Sequence, residues 1–272
     1  MITTRQASDF DMSDSDQTWK FPVKKKAVTF CVTCRNRLWQ LKQTLGHNLS
    51  LLDEDLELTL VDYGSTDEIS QWVWGNFKGF MDSGKLNFFE VKNPVSWHVG
   101  KAKNLAHRIS NGEYLFSLDA DNFITPSDVE KIRDVKRTNV MCHQWSGKPD
   151  DGSCGRIGYP REVFFSLGGY DEELLPMGFE DVDFLRRSKN MVDCMKLSAP
   201  SMEAVKNTFE QSVSELTAAS TDAKNFYKLM IGFNINLSKF KLSAEQVLSR
   251  NTGFTSYRGS LNGKSVIIDG FD

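Results

Sequence analysis

The sequence predicts an open α/β fold, a sheet of buried strands interleaved with helices, and three observations carry that prediction. Apolar, β-branched runs alternate with segments of helical periodicity, each run ends in a polar turn, and the first half of the chain reads strand, helix, strand, helix, strand, helix, strand. In open sheets of this kind ligands bind beyond the carboxyl ends of the strands, so the polar turns are where function is expected.

Residues 1–22 are rich in Ser, Asp, Thr and Gln and are expected to form a mobile leader. Ala27 to Thr33 is nearly continuous in apolar character, which suits a strand covered on both faces. Cys34 to Arg37 form its polar turn, and Leu38, Leu41, Leu45 and Leu49 then recur at helical spacing. Leu56 to Val61 is the second strand. It leads through Asp62 and Gly64, where glycine permits a sharp turn, to Ser65 and Glu68, whose spacing predicts a capping box. The helix that follows carries Ile69, Trp72, Val73, Phe77 and Phe80. Lys85 to Lys92 reads as a third strand, Gly100 to Ile109 as a helix and Tyr114 to Leu118 as a fourth strand.

That fourth strand ends in Asp119-Ala120-Asp121. Side chains alternate along a strand, so both carboxylates project to one side, where one hard cation can engage them together; the triplet also suits an ordinary acidic turn. Thr125 to Asp128 signals a helix start that runs to about Arg137, Asn139 to Trp145 a further strand, and Ser146 to Gly158 a loop. Pro160 to Leu167 follows as a short helix. Glu180 and Asp181 then open another helix after a glycine turn. They are either first-turn acids favoured by the helix dipole or a proton acceptor with a neighbour that positions the substrate. Residues 188–250 read as mostly helical, with a capping box at Ser243 and Gln246, and Phe254 to Ile268 as a hairpin turning at Asn262-Gly263.

Composition excludes several classes. A formal charge of -3 over 272 residues gives no polyanion-binding signature, so no nucleic-acid partner is expected. Five scattered cysteines do not form a disulfide framework and point to a reducing compartment. Cys31 and Cys34 have C-x-x-C spacing without a second pair, and read as small buried strand residues. No stretch approaches the roughly 20 apolar residues of a membrane span, and a cytoplasmic protein is expected, with peripheral contact at the inner membrane face left open. Trp97 and Trp145 are candidates to stack on the face of a ligand, and His98, just before the Gly100 to Ile109 helix, to touch its polar groups. His47 and His107 read as structural.

The motifs V-T-F-C-V-T-C-R-N-R, L-V-D-Y-G-S-T-D, G-K-A-K-N-L-A, G-E-Y-L-F-S-L-D-A-D-N and G-G-Y-D-E-E-L-L-P-M-G-F-E-D-V-D-F occur in the order found in nucleotide-sugar glycosyltransferases of the GT-A fold, which the chain resembles from about Val28 to Arg187. The last motif is most similar to those of β-1,4-galactosyltransferases and bacterial chondroitin-polymerase-type enzymes. The resemblance implies a mixed, Rossmann-like sheet over residues 23–190 with a helical and hairpin extension over 191–272. It implies a UDP-sugar donor held by Thr33, Arg35, Arg37, Asp62, Gly64, Lys103, Asn104, Asp119, Ala120, Asp121 and His98. Asp119 and Asp121 would hold Mn²⁺ or Mg²⁺. Asp181 would be the general base, with Glu180 beside it and Met177, Gly178, Phe179 and Asp183 toward a saccharide or glycoconjugate acceptor. The expected reaction is an inverting transfer of Gal, GalNAc or Glc in polysaccharide assembly, with a retaining transferase and a non-catalytic binding module as alternatives. Met177 stands where the galactosyltransferase pattern has Trp and Phe179 where it has a second Gly. No histidine follows His143 to act as the family's further metal ligand.

Overall fold

The structure, a computed structural model, describes residues 25–91, 94, 96–148, 151–219, 222–244, 257–261 and 264–268, the last two ranges as backbone. The expected leader, Gln246 and the Asn262-Gly263 turn lie outside the described residues.

Four parallel strands form the centre of a nine-stranded sheet: β1 (Lys26–Cys34), β2 (Leu56–Asp62), β3 (Leu86–Val91) and β4 (Gly112–Asp119), in spatial order β4-β1-β2-β3. Their near-continuous apolar runs follow from having both faces covered. On β1, Phe30 and Val32 pack with α1 (Leu38–Ser50), α2 (Ile69–Asn76), α3 (Lys78–Asp82) and α5 (Pro126–Thr138). Cys31 points to the opposite face, where α4 (Val99–Ile109), α6 (Arg161–Ser166) and α7 (Glu180–Ser188) supply Leu105, Phe164 and Phe184. Cys31 and Cys34 are both free and buried, as their strand position required.

The edges turn the sheet mixed. On one side β6 (Ile157–Pro160) runs antiparallel to β4, β5 (Met141–His143) antiparallel to β6, and β7 (Cys194–Lys196) parallel to β5. On the other, the hairpin of β8 (Tyr257–Leu261) and β9 (Lys264–Ile268) adds antiparallel to β3. Residues 214–219 form a short 3₁₀ turn after α8 (Phe209–Ser212), and α9 (Ala223–Ser243) is the longest helix described.

Several expectations need correction. The Ser65–Glu68 capping box does not form: the Ser65 amide donates to Asp62 (2.9 Å) and its hydroxyl accepts from the Asn36 amide (2.8 Å), so α2 starts at Ile69. The helix through Phe80 breaks at Phe77, whose φ of −119° follows the Gly75-Asn76 pair, giving α2 and α3. β6 occupies the end of the expected loop and β7 lies in a segment read as helical. Ser243 is the last residue of α9, its hydroxyl donating to the Phe240 carbonyl. Residues 197–208 hold no helix. By contrast Thr125 and Asp128 form the full capping box ahead of α5.

Candidate active site

The carboxyl ends of β1 and β4, the first turn of α7 and the 207–215 segment enclose a cleft of about 240 Å³. β4 delivers Asp119, Ala120 and Asp121 to its floor. Asp121 is clamped, its Oδ1 accepting from the Asn122 amide (2.7 Å) and its Oδ2 from the Asn207 amide (2.7 Å). Asn122 is itself held by the buried Arg156, which also donates to Gln144 and the Phe123 carbonyl.

Gly178 (φ 89°) and Phe179 (φ 75°) both adopt left-handed backbone, which turns the chain so that Glu180 and Asp181 enter the cleft at the amino end of α7. From α4, the buried Lys103 ammonium donates to Asp181 Oδ1 (2.6 Å) and Glu180 Oε1 (3.4 Å) and lies 4.0 Å from Asp119 Oδ1. The other oxygens of Asp119 and Asp181 converge on Gly155: a Cβ placed there would stand 3.0 Å from Oδ2 of each. Acids from β4 and α7, more than sixty positions apart, therefore face one small volume.

The electrostatics reflect this crowding. Burial alone would lower the Lys103 pKa, but Asp181, Asp119 and Glu180 drive it well above its ordinary value. Burial, with Asp121, Asp181 and Glu180, pushes the Asp119 carboxyl up to about 7 against the pull of Lys103. Burial and Asp181 likewise raise Glu180, and burial raises Asp121 against its amide bonds. One lysine thus does not neutralise the cluster. Asp119 keeps 41% of its side-chain surface exposed to the cleft. Two hard oxygen donors on one strand end, short of positive charge, fit a divalent cation that completes its shell with phosphate and water oxygens. Among the described residues no group of three or more His, Cys, Asp or Glu is arranged to hold a metal, so protein ligands alone would not fill that shell.

The cleft also gathers Thr33, Arg35, Arg37, Met177, Gly178 and Trp97. Arg35 Nε lies 2.9 Å from Glu215 Oε2 while its Nη1 is buried without a partner, and Arg37 donates to the carbonyls of Gln211 (2.7 Å) and Ser212 (3.3 Å). Other expected site residues lie elsewhere. His98 caps α4, its Nδ1 accepting from the Lys101 amide and its Nε2 meeting the Leu174 carbonyl, so the ring is spent on structure. Asn104 bonds both the amide and carbonyl of Tyr170 and so ties α4 to the following loop. Asp62 is buried beneath the rim with its pKa raised by that burial against the Ser65 bonds. Gly64 (φ 74°) shapes the turn, since a Cβ would sit 2.4 Å from Pro94. The Phe179 ring lies under Arg186. Asp183 is not in the cleft: it pairs with Arg187 at 2.7 Å inside the core.

Sequence reasoning missed Asn207, Gln40, Glu215 and Tyr227, which line the same cleft. Gln40 donates to Asn207 (2.6 Å) and Asn36 to Glu215 (2.8 Å), so the 203–215 segment is strapped across the cleft mouth by residues of the first turn and helix.

A parallel core with an acidic rim, extended by antiparallel strands, is the GT-A arrangement of nucleotide-sugar transferases, and solved structures share it. TarS residues 1–349 from S. aureus, in complex with UDP-GlcNAc, superposes with a TM-score of 0.57 at 16% identity, covering 80% of this chain and 66% of that one. The Pyrobaculum calidifontis mannosyltransferase PcManGT, with GDP-Man and Mn²⁺, gives 0.51 at 17% over 88% and 80%. Glucosyl-3-phosphoglycerate synthase from Mycobacterium tuberculosis, with Mn²⁺, UDP and phosphoglyceric acid, gives 0.52 at 16% over 80% and 86%. At such identities the likeness establishes the fold.

The chain belongs to glycosyl transferase family 2, whose sequence profile matches residues 29–190. It is also 31% identical over 86 residues to chondroitin synthase of Escherichia coli, a match covering 32% of this chain and only 12% of that protein's length. Among the described residues no helix is long and apolar enough to cross a membrane.

Proposed function

We propose that the cleft binds a UDP-sugar and transfers its hexose or N-acetylhexosamine, with Gal, GalNAc and Glc the leading donors, to a hydroxyl of a glycan or glycoconjugate with inversion. The observation that carries this reading is the convergence of Asp181 Oδ2 and Asp119 Oδ2 on Gly155 within the cleft that Arg35 and Arg37 line. Lys103 fixes Asp181 through Oδ1, which leaves Oδ2 to take the proton of the acceptor hydroxyl. The acceptor oxygen then bonds to the anomeric carbon as the bond from that carbon to the diphosphate breaks, its electron pair leaving with UDP. A single displacement inverts the centre. Arg35 and Arg37 are placed to bind the diphosphate, and Glu180, held by the same lysine, to set the acceptor's approach. Asp119 and Asp121 would hold Mn²⁺ or Mg²⁺, which when bound supplies positive charge to the leaving diphosphate. The UDP complexes of two fold relatives support this choice of donor, and the Mn²⁺ present with one of them and with a third relative's GDP-Man supports the ion.

In this reading residues 23–190 carry the chemistry, 191–272 form a helical and hairpin extension packed on that core, and the protein serves polysaccharide or glycoconjugate assembly in the cytoplasm. The test is UDP release from a panel of UDP-sugars and acceptors with Mn²⁺ or Mg²⁺, with the product anomer read by NMR. Turnover should be lost in Asp121→Ala and fall by about 10²–10⁴ in Asp181→Asn while UDP binding by the latter persists. A wild-type chain that binds UDP and never releases it from any donor overturns the proposal.

A further inference from the structure

Helix α9 is packed the wrong way round for a helix that ends at the protein's own surface. Its inward positions are Met230, Asn234, Ser238 and Lys241, while Leu229, Phe233 and Phe240 are 73%, 50% and 65% exposed. Residues at i, i+4 and i+11 share one helical face, so these three lie along a single line, with the exposed Asn236 between Phe233 and Phe240.

The orientation is fixed by specific bonds. The Asn234 amide accepts from the Leu175 backbone N–H (2.7 Å) and donates to the Gly178 carbonyl (2.8 Å), and Lys241 donates to Asp171 (2.6 Å). Rotating the helix to bury the stripe would break all of these and leave the buried Asp171 without its cation.

Charge selects the occupant. α9 contains no Asp or Glu, and Lys228 and Lys239 are exposed along one side of the apolar line, with the exposed Lys224 further round the helix. Two copies meeting stripe to stripe about a twofold axis would bring these lysines toward one another, whereas an anionic surface attracts them. Exposed apolar residues bordered by lysines, on a helix that carries no acid of its own, fit a helix that lies in a lipid interface; the one acid that meets these lysines among the described contacts is Glu210 of α8, beside Lys224. At 21 residues α9 would extend about 30 Å along such a surface.

We infer that the outer face of α9 docks this protein on an anionic phospholipid bilayer, with Leu229, Phe233 and Phe240 entering the headgroup boundary and Lys228 and Lys239 meeting lipid phosphates. The inner face of the same helix brings Ile231 and Tyr227 against Gly178, at the cleft wall. Docking would hold the cleft beside the membrane, yet the inference stands on α9 and is independent of what the cleft transfers.

The experiment is flotation of the full chain with phosphatidylcholine vesicles, with and without phosphatidylglycerol. Wild type should float with the anionic vesicles, lose binding as salt rises, and bind phosphatidylcholine alone weakly. K228S/K239S should weaken partitioning by roughly thirtyfold, and L229S/F233S/F240S should abolish flotation. Both sets are at exposed positions and should keep the wild-type thermal midpoint and UDP affinity, which separates lost docking from lost folding. Wild type that fails to float with anionic vesicles overturns the inference. So does flotation undiminished in L229S/F233S/F240S, or a wild-type dimer in light scattering that this variant dissolves without any vesicle binding, which would assign the stripe to a second copy.

Discussion

Asp183→Asn separates a structural acid from a substrate-binding one. Asp183 and Arg187 each keep only 2% of their side-chain surface exposed and meet at 2.7 Å, and Arg187 also donates to the Gly169 carbonyl at 2.9 Å. The amide preserves volume, so no cavity term enters, but the guanidinium is left buried without its counter-charge. Breaking a buried pair from one side costs about 3–5 kcal/mol, and the surviving amide oxygen still accepts a bond, which places this variant near 3 kcal/mol. In a chain of this size each kcal/mol lowers the midpoint by about 2–4 °C, so thermal unfolding followed by circular dichroism should drop by roughly 10 °C. The double variant Asp183→Asn with Arg187→Met should recover part of that loss, because it removes both charges. The acceptor KM should not change. A midpoint within a degree or two of wild type together with a raised acceptor KM would show that the carboxylate faces substrate, and the placement argued above would be wrong.

Three further outcomes follow from the cleft. Because Asp119 is raised from 3.8 to about 7, the folded chain binds a proton there that the unfolded chain has released. Its contribution to stability is full below about pH 4 and lost as pH rises through about 7, and Mn²⁺ should add more stability at pH 8, where the carboxylate is already free, than at pH 5, where the ion must displace that proton. A thermal midpoint gain from Mn²⁺ that is the same at both pH values refutes this. Glu215→Gln removes the carboxylate that competes with a diphosphate for Arg35, and UDP affinity measured by calorimetry should rise about threefold to tenfold, whereas weaker binding would mean that Glu215 instead positions the arginine. Gly155→Ala inserts a methyl 3.0 Å from the carboxylates of both Asp119 and Asp181, so turnover should fall at least about tenfold with a near-wild-type unfolding midpoint. Full activity in that variant would remove Gly155 from the site.

What the sequence made legible has a physical basis. Strands β1 to β4 were readable because a parallel strand covered on both faces must be apolar at nearly every position, and their polar ends mark the rim. Of the short edge strands, β5 lies inside the strand expected over Asn139 to Trp145, whereas β6 and β7 are only four and three residues long, too few for any period to declare itself. Asn207 and Glu215 were illegible for a related reason. They come from a stretch that is irregular or only briefly helical, and their role comes from contacts with Asp121 and Arg35, far away in the chain. His98 and Asn104 are polar residues beside the cleft whose hydrogen bonds turn out to be satisfied by loop backbone, which no local pattern encodes.

Asp183 is different, because its placement could have been deduced. Asp119 and Asp121 are two residues apart at the end of a strand, where a period of two sends both side chains to one side. Asp181 and Asp183 have the same spacing in a helix, where two residues span about 200° and the side chains diverge. An acid pair read as one constellation in β4 must therefore be read as two opposed groups in α7. Arg187, four residues beyond Asp183, marks which of them turns inward, since i and i+4 share a helical face. One spacing yields a shared carboxylate site on β4 and, on α7, a cleft-facing Asp181 set against a core ion pair, and only the secondary structure decides between them.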